Sequence, residues 1–466
     1  MTVNRPLAIT HGSLETTILT PQSDYIFYQH LTSGFYKSLP EVTEGFADDE
    51  EPSSKSELLT KFLGFIVKSN SEESEKKQAV SVVLADFESR FLRGQDIHIF
   101  AANALQSEEF PTTLYKVKNN LIKNYFLAKS YLNSDFGVTN KGSPSSALFQ
   151  AAQSKEASLV AIFGGQGNVD NYIEELRELN DLYSGLLSDF LLKVQSKVQS
   201  LISSTEDADA VFNQGFDLIN WLNDKESTPE NDALLAIPYS CPLICVIQLC
   251  HYIVTSKLLG VSPGEVRSLL SGTTGHSQGL VTAVAIASVD SWTSFEVEAL
   301  KAVEFLFYLG VRCLQAYPST TLAPSSVKDS IDNGEGQPGP MLSVRDLTYD
   351  QVTKFIDQTN QHLPESKRVG ISLVNGARNV VVTGPPESLY GLNLNLRKAK
   401  APSGLEQSRV PFSERKLKFS SRFLPISSPF HSQLLLPAKE RILNDLKSSN
   451  LEFKQSSIAI PVYDTN

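Results

Sequence analysis

The sequence predicts an α/β protein: a core built on a parallel sheet, a mixed α/β region ahead of it, and a small α+β unit inserted into it. One sign is a short continuous apolar run, Leu159-Val160-Ala161-Ile162-Phe163, closed by Gly164-Gly165-Gln166-Gly167. Such a run reads as a strand buried on both faces. Another is the helical material that follows and alternates with strands, as an α/β core requires. A third is the order strand, helix, strand, strand, helix over roughly residues 341–399. At ~150 residues per domain, 466 residues allow two to four folding units. The expected division is 1–155, 156–339, 340–420 and 421–466.

Residues 1–155 open with apolar positions alternating around a glycine turn: Leu7, Ile9, His11-Gly12-Ser13, Leu14 and Ile18. This reads as a β-hairpin. Helical segments follow, interrupted by two polar stretches, 47–54 and 69–77, whose charged and small residues lack periodicity and read as loops. The uncharged stretch 233–256 is long enough to span a bilayer. It contains Pro238, Ser240, Pro242, Gln248 and His251, which lipid would penalise and the start of a buried helix tolerates. A buried helix is therefore expected, closed by Gly260 at its C-cap. Residues 321–340, rich in Pro, Ser, Gly and Asp, read as a boundary or surface loop.

Beyond that loop, Met341-Leu342-Ser343-Val344 reads as a strand, and Thr348-x-x-Gln351 as a capping box that opens a helix with Val352, Phe355 and Ile356 on one face. Two strands follow, Gly370-Ile371-Ser372-Leu373-Val374 and Val380-Val381-Val382-Thr383, and then a helix after Pro385-Pro386. That order is the pattern of a ferredoxin-like subdomain. No internal repeat is evident.

Lys+Arg total 41 against Asp+Glu 52, so the net charge of −11 disfavours nucleic acid and anionic membranes as partners. Met1-Thr2-Val3-Asn4-Arg5-Pro6 does not begin a secretory signal. Three of the four cysteines, Cys241, Cys245 and Cys250, lie on the apolar stretch without CxxC spacing. They read as core residues of a reduced, cytoplasmic protein, with no metal site.

The sharpest chemical signal is Gly275-His276-Ser277-Gln278-Gly279, set between a short strand and a helix of small apolar residues, Leu280 to Ala287. Glycines on both sides of Ser277 permit the tight strand-to-helix turn that exposes a serine hydroxyl, an elbow typical of an α/β-hydrolase-like core. By itself G-x-S-x-G also fits an ordinary turn. A serine hydroxyl needs a base. Of seven histidines, His431 in Ser428-Pro429-Phe430-His431-Ser432 fits best, because His276 is too close in sequence to face Ser277. Main-chain N–H groups of Gln278 and Gln166 are candidate oxyanion donors, each worth on the order of 3 kcal/mol in a transition state. The Gly164-Gly165-Gln166-Gly167 turn lacks both G-x-G-x-x-G spacing and the Lys-Ser/Thr pair of a P-loop.

Phe163-Gly164-Gly165-Gln166-Gly167, Gly275-His276-Ser277-Gln278-Gly279, Val374-Asn375-Gly376 and Pro429-Phe430-His431-Ser432 occur in the order seen in acyl-CoA:acyl-carrier-protein transacylases, and the chain resembles that family. It resembles more closely the N-terminal acetyltransferase region of fungal fatty acid synthase β subunits. The resemblance implies a Ser277–His431 dyad, oxyanion donors from Gln166 and Gln278, and Gly165, His276, Leu309 and Asn375 at the substrate. It further implies acetyl transfer from acetyl-CoA to the phosphopantetheine thiol of acyl carrier protein, no prosthetic group, and a large assembly of α and β chains. Relatives that hold the imidazole with a backbone carbonyl take it from a glycine-rich segment, which this sequence does not reach before Asn466. Malonyl-transferring relatives carry an Arg where Leu309 stands, and burying a carboxylate beside leucine is costly, so acetyl is the expected group. Arg312, three residues on, is the alternative cation.

Residues 397–422 hold eight basic and two acidic residues, a candidate docking stretch for anionic CoA or carrier protein, or else a solvated face. The competing readings are a serine esterase or thioesterase, which would show an HGGG-type loop and a triad acid, and a non-catalytic fragment of the synthase assembly.

Overall fold

The computed structural model describes residues 4–11, 14–39, 54–104, 111–132, 146–166, 172–318, 320, 322–402, 404, 407–408 and 410–464. The chain divides into two compact units. The first is Met1–Ala157 with Glu174–Leu192 and Cys250–Val266; the second is Ser158–Ile173, Lys193–Leu249 and Arg267–Asn466. Two stretches from within 156–339 thus group with the N-terminal region.

In the first unit, strands β1 (Asn4–His11) and β2 (Leu14–Pro21) pair antiparallel with His11 opposite Leu14, the expected hairpin. Alternation turns Leu7, Ile9 and Ile18 inward. They join Tyr28, Phe35, Phe62 and Phe87 from the helices Tyr25–Ser38, Lys55–Lys68 and Glu73–Phe87 in one core. The polar stretch 69–77 is not all loop. The Glu72 carboxylate accepts the N–H groups of Ser74 and Glu75, and Glu73 and Glu75 fill the first helical turn. Acidic residues are favourable there against the positive end of the helix dipole, so the charge run that looked like a loop is a helix start. Residues 47–53 of the other polar stretch lie outside the described residues, and Ser54 caps the Lys55–Lys68 helix.

The second unit carries two sheets. In one, β3 (Leu159–Phe163), β4 (Leu270–Gly275) and β9 (Val462–Tyr463) run parallel in the order β3-β4-β9. The expectation that β3 is buried on both faces is wrong. It is an edge strand, with Val160 46% and Ile162 77% exposed, and Phe163 alone is buried. The run of apolar residues matched a doubly covered strand, but periodicity cannot report whether a second layer covers both faces.

The other sheet has the order β6-β7-β5-β8, with β5 (Met341–Arg345), β6 (Gly370–Gly376), β7 (Asn379–Thr383) and β8 (Ser420–Phe423) antiparallel to their neighbours. The Tyr349–Asn360 helix opens with the expected Thr348/Gln351 capping box, and the Pro386–Ala399 helix starts on its proline. Their apolar sides pack with Leu342, Val344, Val380 and Val382 on one face of the sheet. Because side chains alternate, Met341, Ser343, Arg345, Asn379 and Val381 fall on the opposite face.

The stretch 321–340 contains a helix, Pro324–Asp332, before its turn. Gly334 and Gly336 in that turn have φ of 73° and 81°. Between them Glu335 is buried and receives Arg397 through Nε and Nη2 at 2.6 and 2.5 Å. The apolar stretch forms the helix Ile237–Leu259, largely buried, with Pro242 near its start; Gly260 follows at φ 68°. All four cysteines are buried and none forms a disulfide.

Candidate active site

Strand β4 ends at Gly275, and the Gly279–Ala287 helix begins four residues later. Between them Ser277 has φ 54°, the left-handed region that L-residues seldom occupy. The chain can close this turn only because the flanking residues are glycine. A Cβ at Gly275 would overlap the backbone of Gly279 and Leu280, and one at Gly279 would overlap the carbonyl of Phe163. That same carbonyl accepts the His276 N–H at 2.9 Å, tying the turn to the end of β3.

The turn holds Ser277 Oγ 2.9 Å from His431 Nε2, although 154 positions separate them in sequence. His431 is itself at φ 59°, in a turn fastened by the Phe430 N–H to Ser428 carbonyl bond and by Ser432 Oγ donating to the Pro429 carbonyl at 2.7 Å. Burial, and secondarily the neighbouring His276, hold its imidazole pKa below the ordinary value. A neutral ring beside a serine hydroxyl can accept its proton.

Gly165 lies against the serine: a Cβ there would come within 2.8 Å of the His276 carbonyl and 3.3 Å of Ser277 Cβ. The side chains of Gln166 and Gln278 point away from the hydroxyl. Gln166 Nε2 donates to Ser240 Oγ at 3.1 Å and to Cys241 Sγ at 3.0 Å, and Gln278 Nε2 donates to the Cys241 carbonyl at 3.4 Å. Their main-chain N–H groups donate to no described residue, which leaves them open to an oxyanion. Gln248, on the Ile237–Leu259 helix, donates to the Gly164 carbonyl at 2.8 Å and accepts from Thr282 Oγ1 at 2.7 Å. Sequence reasoning gave Gln248 no role beyond a polar residue in an apolar stretch.

Ser277 and His431 open on a cavity of about 490 Å³ that Gln166, His276, Gln278, Leu309 and Asn375 also line. Its apolar lining includes Phe305, Leu309, Leu280, Met341 and Phe430; its polar lining includes Ser343, Arg345, Asn375, Asn379 and Asp464. Arg312 is not part of it. That guanidinium is buried and grips the Asp445 carboxylate through Nε at 2.7 Å and Nη2 at 2.9 Å. Ser343, Arg345 and Asn379 escaped the sequence reading. The alternation of β5 and β7 was visible, but not which face of that sheet meets the serine. Among the described residues no group of three His, Cys, Asp or Glu side chains could hold a metal ion.

A family model described as starter unit:ACP transacylase in aflatoxin biosynthesis matches residues 161–416, and one described as the N-terminal domain in fatty acid synthase subunit beta matches residues 3–132. The chain is 54% identical over 463 residues to the fatty acid synthase subunit beta of Saccharomyces cerevisiae, covering 99% of this chain and 22% of that protein. The Schizosaccharomyces pombe subunit is 38% identical over 99% of this chain and 21% of its own length. The fatty acid synthase beta subunit TOXC of Cochliobolus carbonum is 34% identical over 99% and 22%. The chain thus spans about a fifth of the length of these curated relatives. A crystal structure of MCAT from Streptococcus pneumoniae superposes at a TM-score of 0.39 and 16% identity, covering 66% of this chain and 75% of that one. With a transacylase model over more than half its length and these relatives over nearly all of it, the chain belongs to the fungal fatty acid synthase β-subunit family, as its N-terminal, acyltransferase-bearing region.

Proposed function

We propose that the chain transfers an acetyl group from acetyl-CoA to the pantetheine thiol of acyl carrier protein through an acetyl-Ser277 intermediate, priming fatty acid synthesis. The observation that carries this is the Ser277 Oγ to His431 Nε2 distance of 2.9 Å at a glycine-flanked elbow. His431 Nε2 takes the hydroxyl proton as Oγ attacks the thioester carbon. The oxyanion sits at the main-chain N–H groups of Gln166 and Gln278, then collapses to expel the CoA thiolate, which takes the proton from His431. The carrier thiol reverses these steps: His431 accepts its proton, the thiolate attacks the acetyl ester, and Ser277 leaves reprotonated. No prosthetic group enters this chemistry.

Leu309 in the cavity lining supports acetyl over malonyl, because Arg312, the one arginine of the Trp292–Ala316 helix that carries Leu309, is committed to Asp445 and not available to a malonyl carboxylate. The order β6-β7-β5-β8 with its two helices supports a ferredoxin-like reading of residues 340–420, inserted between a core of 156–339 and its return at 421–466. The parallel sheet and elbow support an α/β-hydrolase-like core. As part of such a synthase the chain works in the cytoplasm with α and β chains.

Intact mass of the protein after incubation with acetyl-CoA or malonyl-CoA tests the reading. Wild type is expected to gain one acetyl group, Ser277→Ala none, and Leu309→Arg to shift capture toward malonyl by at least about tenfold. An unmodified wild type, or CoA release that proceeds equally without an acceptor thiol, would refute transfer.

A further inference from the structure

One wall of the cavity is the sheet face opposite the helices, and its chemistry is graded along β5. Met341, Ser343 and Arg345 are alternate residues on one face, and all three line the cavity. The Met341 end is tied to the catalytic side, since its carbonyl accepts the N–H of Leu424 on the segment that leads to Phe430 and His431, both also in the lining. Arg345 lies four residues further along an extended strand, about 13 Å away at the usual rise. Its side chain is exposed and enters no ion pair or side-chain hydrogen bond among the described residues. Opposite it in register stands Asn379, also in the lining, whose Oδ1 is buried without a partner.

Among the described residues, a guanidinium without a counter-ion and an amide oxygen without a donor stand side by side at the far end of a wall that starts apolar, and ask for a ligand with matching groups. It must carry an anion and an N–H, both remote from the reacting carbon. An acetyl group has neither. The arm that delivers it has both, with two amide N–H groups between the thioester and a phosphate ester. Resting on the acetyl-transfer reading above, we propose that Arg345 binds the phosphate of the pantetheine arm, from CoA or from the carrier protein, while Asn379 Oδ1 accepts an arm amide N–H. The bidentate geometry of guanidinium suits a phosphate, and the distance along β5 separates this cation from the acyl group.

The test compares donors shortened stepwise, with the full 466-residue chain: acetyl-CoA, acetyl-4′-phosphopantetheine, which lacks the phosphorylated adenosine, and acetyl-pantetheine, which also lacks the 4′-phosphate. Arg345→Gln is expected to raise KM about tenfold for the first two with kcat little changed, and to leave acetyl-pantetheine unaffected; Arg345→Lys recovers part of the loss. Asn379→Ala is expected to raise KM for all three donors alike. With acetyl held on Ser277, holo-carrier protein should show the Arg345→Gln penalty as acceptor and pantetheine should not, if the site serves both arms; a penalty with CoA donors alone confines it to CoA.

Equal effects of Arg345→Gln on all donors, or none on any, would overturn the proposal. So would acetyl-4′-phosphopantetheine behaving like acetyl-pantetheine, which would move the contact to the nucleotide phosphates. Loss of malonyl capture alone would assign Arg345 to an acyl carboxylate and overturn it too. If wild type is not acylated by any donor, the transfer reading fails by itself. Equilibrium binding of 4′-phosphopantetheine against pantetheine, in wild type and Arg345→Gln, then decides the phosphate contact separately.

Discussion

His431 has its ring partly buried beside His276, and both conditions disfavour the imidazolium. Its pKa therefore lies below the ordinary value near 6.5, and the ring stays neutral, able to accept a proton, to lower pH than a free imidazole would. The sign follows directly: acylation is lost only as pH falls through the depressed pKa and is level above it. We expect the rate of acetyl-Ser277 formation to be flat from about pH 7 upward and to halve below the usual imidazole range. His276→Gln removes the secondary cause, so its profile should fall off at a higher pH, closer to the ordinary value, while burial keeps it somewhat below. A rapid-quench pH profile of wild type and variant checks this; an unchanged inflection would leave burial as the whole cause. At this scale the pairing of Ser277 with His431 was legible in the sequence, because glycine spacing and a shortage of alternative histidines narrow the choice. The outward turn of the two glutamine side chains was not, since it depends on Ser240 and Cys241, some 37 to 75 positions away.

At the scale of elements, the site is a joint between the ends of two parallel strands and one helix. β4 delivers the serine turn, the end of β3 delivers Gly164 to Gln166, and the Ile237–Leu259 helix braces that second turn through Gln248. The brace fixes the Gly164 carbonyl, and with it the orientation of the peptide groups leading to the Gln166 N–H. Gln248→Leu should loosen this donor without touching substrate. The expected result is a fall in kcat of about tenfold, less than the loss of an oxyanion donor outright, with KM nearly constant and stability reduced by only about 1 kcal/mol. Gln248→Glu, which keeps an acceptor for Thr282 but presents oxygen to the Gly164 carbonyl, should be no better than leucine. Steady-state kinetics with a denaturant midpoint separates the two effects; a stability loss with unchanged kcat would reduce Gln248 to a packing role. The hairpin, the Thr348/Gln351 box and three strands of the second sheet were legible from local spacing, whereas β8, only four residues long, was not. The exposure of β3 and the helix start at Glu73 were not, because one depends on layers that local sequence does not encode and the other on an acidic cap that resembles a loop.

Over the whole molecule, a net charge of −11 coexists with the basic stretch 397–422, and the structure sorts that stretch into spent and unspent charge. Arg397 is held by Glu335 and, at 2.7 Å, by Asp329. Lys400 sits over the Phe419 ring, and Arg415 donates to the carbonyls of Val410 and Ser408. Composition counted all of these equally; only the fold shows which are committed. Neither Lys416 nor Lys418 enters an ion pair among the described residues, and both side chains lie outside the committed set. With Arg422, which is also exposed and in no ion pair among the described residues, they are the basic side chains of this stretch that the acyl-transfer reading proposed above would offer to an anionic carrier protein. Reversing both, Lys416→Glu with Lys418→Glu, should raise KM for holo-carrier protein several-fold at low salt, with the difference shrinking as ionic strength rises. KM for acetyl-pantetheine, which has no charge to steer, should not move. A salt-independent change would point to altered folding, and no change with the carrier would mark this stretch as a solvated face.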